Sequence, residues 1–145
     1  MTTITHHIVL GFDFGMKRIG VAVGQTITQT ARPLGTIKTN HGAPQWDALT
    51  KLVKKWHPDA LVVGIPLNMD GTEQPLTQAA RKFAELLQNH FTLPVYGMDE
   101  RLTSVDAKAR LFDQGGYKAL QNAEVDSVAA QLILQNWLAQ AKNTI

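Results

Sequence analysis

The sequence predicts an α/β fold, a mixed sheet with helices on both faces. Three observations carry that reading. The apolar, glycine-rich stretch HIVLGFDFGMKRIGVAVG at 7–24 reads as two strands joined by a tight turn, which implies antiparallel pairing. The later apolar runs ALVVGI at 60–65 and LPVYGM at 93–98 alternate with segments of helical period. Strand–helix–strand units of that kind pair in parallel through right-handed crossovers. No repeat or linker interrupts the 145 residues, so the whole chain reads as one domain, structured over about 8–141.

The elements follow in order. Ile8–Phe14 is a nearly continuous apolar strand and Arg18–Val23 a second. Gly15-Met16-Lys17 turns between them, with Gly15 free to take positive φ. Thr26–Thr30 is polar and reads as a loop, and Arg32–Thr39 as a third strand. Asn40-His41-Gly42-Ala43-Pro44 is a breaker cluster. Trp46, Leu49, Leu52, Val53 and Trp56 then recur at helical spacing, and His57-Pro58-Asp59 ends that helix. Trp46 and Trp56 read as its core anchors rather than as base-stacking platforms. Ala60–Ile65 has the composition of a buried parallel strand, and Pro66–Thr72 is a loop. Glu73–His90 is an amphipathic helix through Leu76, Ala79, Ala80, Phe83, Leu86 and Leu87. Leu93–Met98 is a further strand and Thr103–Phe112 a helix. Gly115–Gln121 is a loop, and Ala123–Ala141 a last helix with Asn122 as its N-cap.

Composition narrows the function classes. Apolar residues make up 44% and charged residues 18%, as in ordinary globular chains. There is no cysteine, which excludes disulfide and thiol chemistry and fits a cytoplasmic setting. The first residues lack the pattern of a secretory signal, and no apolar run has membrane-spanning length. A formal net charge of +2, from 14 Lys and Arg against 12 Asp and Glu, permits a nucleic-acid partner without demanding one.

Three carboxylates stand out. Asp13 interrupts an apolar strand, on the face of Val9 and Gly11. Gly11 and Gly15 clear space beside it for a phosphate, a metal or a substrate backbone. It also fits a strand-end residue that accepts hydrogen bonds from the following turn. Glu100 lies in the Asp99-Glu100-Arg101 cluster after the Leu93–Met98 strand, where ligands collect in open α/β sheets. A solvated strand end accounts for it equally, and is the better account of Asp99. Asp126 sits in the first turn of an otherwise apolar helix, on the face of Ala130, Ile133 and Trp137. Small Ala129 and Ala130 would let that helix approach the sheet. Stabilisation by the helix N-terminus would also explain it.

Carboxylates from three segments gathered at one sheet edge repel one another, and a divalent ion relieves the repulsion. Oxygen-only ligands favour Mg2+ or Mn2+, one ion or two. The histidines at 6, 7, 41, 57 and 90 show no paired ligand spacing, so no zinc site is expected. Such a centre suits phosphodiester hydrolysis. Lys17, Arg18, Arg101, Arg110 and Lys118 are candidate phosphate contacts, although each also fits a solvated surface charge. Asn68, Asp70 and Thr72 beside Gly71 form a simple loop, or cap the next helix and turn amides toward a phosphate.

With these residues in place, the chain resembles the YqgF family, also called RuvX. Its members are known as Holliday junction resolvases and as nucleases of small-subunit ribosomal RNA precursors. The resemblance runs over about Ile8–Leu138. It rests on GFDFGMKRIGVAV at 11–23, VVGIPLNMDGTE at 62–73, DERLTS at 99–104 and VDSVAAQLILQNWL at 125–138. It implies an RNase H-like fold with a five-stranded sheet in the order 3-2-1-4-5. Asp13, Glu100 and Asp126 become the catalytic, metal-holding carboxylates. Gly64–Thr72 becomes a loop beside the active face, with Arg101 close to Glu100. A flexible substrate-facing loop is implied between the last two helices. That loop is usually more basic than QGGYKALQNAE, which offers only Lys118.

The implied activity is metal-dependent RNA cleavage in ribosomal precursor processing, with RNA and the ribosomal small subunit as partners. A DNA junction resolvase is the alternative within the same chemistry. It requires a symmetric dimer, and Phe112, Tyr117 and Leu120 suggest no dimer helix, so a monomer or weak dimer is expected. A nucleotide-binding kinase half-domain is disfavoured by the lack of both a second lobe and a Walker A ending. A non-catalytic RNA or protein interaction module remains a fourth reading.

Overall fold

The computed structural model describes residues 7–99 and 124–143. Strand β1 (Ile8–Asp13) and strand β2 (Arg18–Gln25) form the expected antiparallel hairpin, with Ile8 opposite Gln25 and Asp13 opposite Gly20. Strand β3 (Thr30–Asn40) pairs antiparallel with β2 and is longer than its apolar pattern suggests. Its register shifts between Val21 and Ala22 of β2, which face Gly35 and Pro33, and Gly35 takes φ +129° there. Such an irregularity lets a strand carry a proline.

The sheet has six strands in the order β4-β3-β2-β1-β5-β6, which corrects the five-stranded 3-2-1-4-5 expectation. The unforeseen strand is β4 (Ala43–Pro44), inside the segment read as a breaker cluster. It pairs with Thr39 and Asn40 after a turn in which His41 and Gly42 take positive φ. Two residues are too few to show a periodic pattern. The turn straps down the tip of the β1–β2 hairpin: Gly42 N donates to Met16 O (3.1 Å) and Thr39 N to Lys17 O (2.9 Å). Gly15 does not take positive φ. It is small because a Cβ there would lie 2.6 Å from Arg18 O.

Helix α1 (Trp46–Trp56) starts and ends where its apolar period does, and closes on His57 in the left-handed conformation. Strand β5 (Ala60–Ile65) is buried throughout and pairs in parallel with β1. Gly64 therefore belongs to a strand, not to the following loop. Helix α2 (Pro75–Phe91) begins two residues later than its pattern, at a proline suited to a first turn. Strand β6 (Val95–Asp99) is parallel to β5 and starts just after Pro94. Helix α3 (Glu124–Asn143) matches the expected last helix from Glu124 to Ala141 and runs two residues further, while Ala123 lies outside the described residues. Glu100, Arg101, Arg110, Lys118, Asn122, the Thr103–Phe112 helix and the Gly115–Gln121 loop lie outside the described residues.

Alternation along the strands sorts the side chains onto two faces. Leu10, Phe12, Phe14, Ile19, Val21, Val23, Leu61, Val63 and Ile65 meet Leu49 of α1 and Ala80, Phe83 and Leu87 of α2. Trp46 and Trp56 pack against this core, as their spacing implied. Val9, Ala22, Ala60, Val62 and Met98 meet Ala130, Ile133, Leu134 and Leu138 of α3. This second face is paved with small residues, and a Cβ at Gly11 or Gly24 would press on Leu134 at 3.1 or 2.9 Å. Helix α3 consequently lies directly on the β1–β2 hairpin.

Candidate active site

Close packing of α3 brings two of the three expected carboxylates together. Asp13 ends β1 and stands opposite Gly20, and cross-strand partners share a face. A Cβ on Gly20 would fall 2.0 Å from the carbonyl oxygen of Asp126 and 3.0 Å from its Cβ. The first turn of α3 thus rests on the β2 backbone beside the end of β1. Asp126 lies two residues after Glu124, where this helix begins. As predicted, Ala130 and Ile133 on its face are buried, and Trp137 packs against the same cluster.

Arg18, foreseen as a phosphate contact, is bound to Asp126: its Nε donates to Oδ2 in an ion pair across 108 residues of chain. The arginine side chain is 44% exposed and the aspartate 28%, so the pair sits at the rim of the site rather than in the core. Lys38 of β3 stands opposite Arg18 in the β2–β3 register. Lys38 carries no local signal in the sequence, because only register, not local pattern, places it here. Lys17 is exposed in the hairpin tip, with its carbonyl held by Thr39. Asp126 is therefore paired with one cation, and a second, Lys38, stands beside that cation in the strand register.

On the other side of Asp13, Phe12 of β1 pairs with Val63, and Gly64 follows, paired with Met98 of β6. Among the described residues no group of three His, Cys, Asp or Glu is assembled. Asp13 and Asp126 are described and Glu100 is not. Oxygen donors, one of which already binds a guanidinium cation, have the chemistry that Mg2+ or Mn2+ requires.

The loop after β5 is built on itself. Leu67 bridges to Glu73, and Asn68 N donates to Thr72 O (2.8 Å). Asp70 Oδ1 accepts from Thr72 N (2.9 Å) and Thr72 Oγ1 (2.6 Å), while Asn68 Nδ2 donates to Thr72 Oγ1 (3.0 Å). Gly71 takes φ +89°, which favours glycine. Asn68, Asp70 and Thr72 thus brace the loop instead of capping α2. Thr77 serves the helix start: its Oγ1 accepts from Gln74 N (3.0 Å) and donates to Pro66 O.

Comparison with known proteins agrees with this fold. The solved structure of Thermus thermophilus RuvC in complex with a Holliday junction superposes with a TM-score of 0.60 at 18% identity, covering 96% of this chain and 98% of that one. The fowlpox virus resolvase bound to junction DNA gives 0.57 at 12% identity, over 92% of this chain and 98% of that one. The fold is therefore RuvC-like, within the RNase H-like class. A protein of Aeromonas salmonicida named "Putative pre-16S rRNA nuclease" is 58% identical over 91% of this chain and 94% of its own length. One of the same name from Shewanella oneidensis is 57% identical over 89% and 92%. The family model described as "RuvX: Holliday junction resolvase" matches residues 7–140. With its hairpin aspartate, its α3 aspartate and its RuvC-like sheet in one continuous match, the chain belongs to the RuvX family.

Proposed function

We propose that the protein is a metal-dependent endonuclease that hydrolyses phosphodiester bonds in the precursor of small-subunit ribosomal RNA. The observation that supports it best is the seating of α3 on Gly20, which delivers Asp126 to the sheet end that carries Asp13. Relatives more than half identical over nearly their whole length carry the pre-16S rRNA nuclease name.

In this reading Asp13, Asp126 and Glu100 hold one or two Mg2+ or Mn2+ ions. Bound there, the metal would activate water and stabilise charge on the scissile phosphate. The carboxylates fix the position of the centre, and the apolar packing under α3 keeps Asp126 from drifting. Lys17, Arg18 and Lys38 supply positive charge for the RNA backbone on one side. Arg101, Arg110, Lys118 and Asn68 are proposed as further contacts. Water adds to phosphorus, one bridging P–O bond breaks, and the leaving oxygen ends protonated. The small subunit is the proposed partner, and the protein acts in the cytoplasm as a monomer or weak dimer. Among the described residues no helix is long and apolar enough to cross a membrane.

The test is cleavage of a labelled small-subunit RNA precursor by wild type and Asp13→Asn, with Mg2+ or Mn2+ and with a four-way DNA junction as comparator. RNA cleavage that needs metal and is lost in the variant is the expected result. Paired, symmetric cuts in the junction alone would make the protein a resolvase, in keeping with its RuvC-like fold. Binding of RNA without cleavage at any metal concentration would make it an interaction module.

A further inference from the structure

We propose that Arg18 is an exchangeable counter-ion, bound to Asp126 until a divalent metal takes that carboxylate and then free to bind a phosphate of the nucleic acid. The inference rests on the metal-holding role of Asp126 given above. It makes Arg18 a positioning residue that couples metal binding to RNA binding.

Three features support the exchange. The contact uses a single guanidinium nitrogen, Nε, and the other two have no partner among the described residues. A one-point pair is easier to break than a two-point fork. The pair is also partly solvated, with Arg18 44% exposed, so it is weak enough to yield to a doubly charged ion. Finally, Lys38 stands opposite Arg18 in the strand register. Like charges facing each other across strands are unfavourable. While Arg18 is engaged by Asp126, much of its charge is neutralised. Once a metal takes Asp126, Arg18 and Lys38 form an uncompensated cationic pair, and an anion restores the balance. A bridging phosphate is the anion the reaction brings. Coupling of this kind is reciprocal, so RNA also tightens the metal.

The experiment measures Mn2+ binding to the protein alone, by the electron paramagnetic resonance of the free ion. Binding of a labelled single-stranded RNA is followed by fluorescence anisotropy in Ca2+ and in chelator. Wild type, Arg18→Gln, Arg18→Lys, Asp13→Asn and Asp126→Asn are compared, each checked for folding by circular dichroism. Arg18→Gln is expected to bind Mn2+ about two- to five-fold more tightly than wild type, the scale of one partly exposed ion pair. Arg18→Lys is expected to return toward the wild-type value. Wild type should bind RNA more tightly in Ca2+ than in chelator, and Arg18→Gln should lose most of that gain. Mn2+ binding by Arg18→Gln that equals or falls below wild type, while Asp126→Asn binds poorly, overturns the exchange and leaves the metal site standing. Unchanged Mn2+ binding in both Asp13→Asn and Asp126→Asn overturns the metal site, and the exchange with it.

Discussion

Asp13 and Asp126 carry the candidate chemistry from opposite kinds of position, one closing a strand and one opening a helix. Replacing either by Asn removes a full negative charge at almost constant volume. Cleavage is expected to fall by about 100-fold or more, the scale of deleting one preorganised electrostatic group. A single-turnover assay of each variant measures this. Stability should barely change in Asp126→Asn, because a pair as exposed as Arg18–Asp126 contributes less than about 1 kcal/mol; a thermal melt is the check. Asp13 was legible in the sequence because an acid amid apolar strand residues is conspicuous. The capture of Asp126 by Arg18 was not, since nothing local links residues 108 positions apart. Lys38 stayed hidden for a related reason: a strand's period shows its faces but not its register with a neighbour.

At the scale of elements, the site depends on how closely α3 lies against β1 and β2. Gly20→Ala would place a methyl group 2.0 Å from a backbone oxygen of α3, and neither partner can rotate away. A loss of roughly 3 kcal/mol or more is expected, at or beyond the upper end of overpacking. At Gly11 the nearest atom is the Leu134 Cβ at 3.1 Å, which leaves more room to adjust. Gly11→Ala should cost about 1 kcal/mol. Denaturant unfolding of the two variants tests this order. Thr77 is fully buried and joins the start of α2 to the end of β5. Thr77→Val is expected to cost about 1–2 kcal/mol by leaving buried polar groups unpaired, again read by denaturant. Boundaries of α1 and β5 were legible because period and flanking breakers agree there. The start of α2 was not, because Glu73 continues the helical pattern although the chain there bridges back to Leu67. Strand β4 was invisible because its pairing depends on a turn, not on composition.

For the whole molecule, chelation of divalent ions should abolish cleavage while leaving the melting temperature within a few degrees. Apolar side chains hold the helices to both faces of the sheet. RNA affinity should fall steeply with added salt, as for any grip made through phosphates. The α/β class was legible from the hairpin and the two crossovers, each of which allows few arrangements. The depth of contact between α3 and the hairpin was only hinted at by small residues, since their fit depends on tertiary packing. That contact also has a consequence in time. Asp13 leaves the ribosome early in synthesis, whereas the helix that carries Asp126 is made after every strand of the described sheet. A copy broken off before α3 keeps one aspartate and lacks the other. On the reading that both aspartates hold the metal, cleavage would have to wait until the final helix has been made.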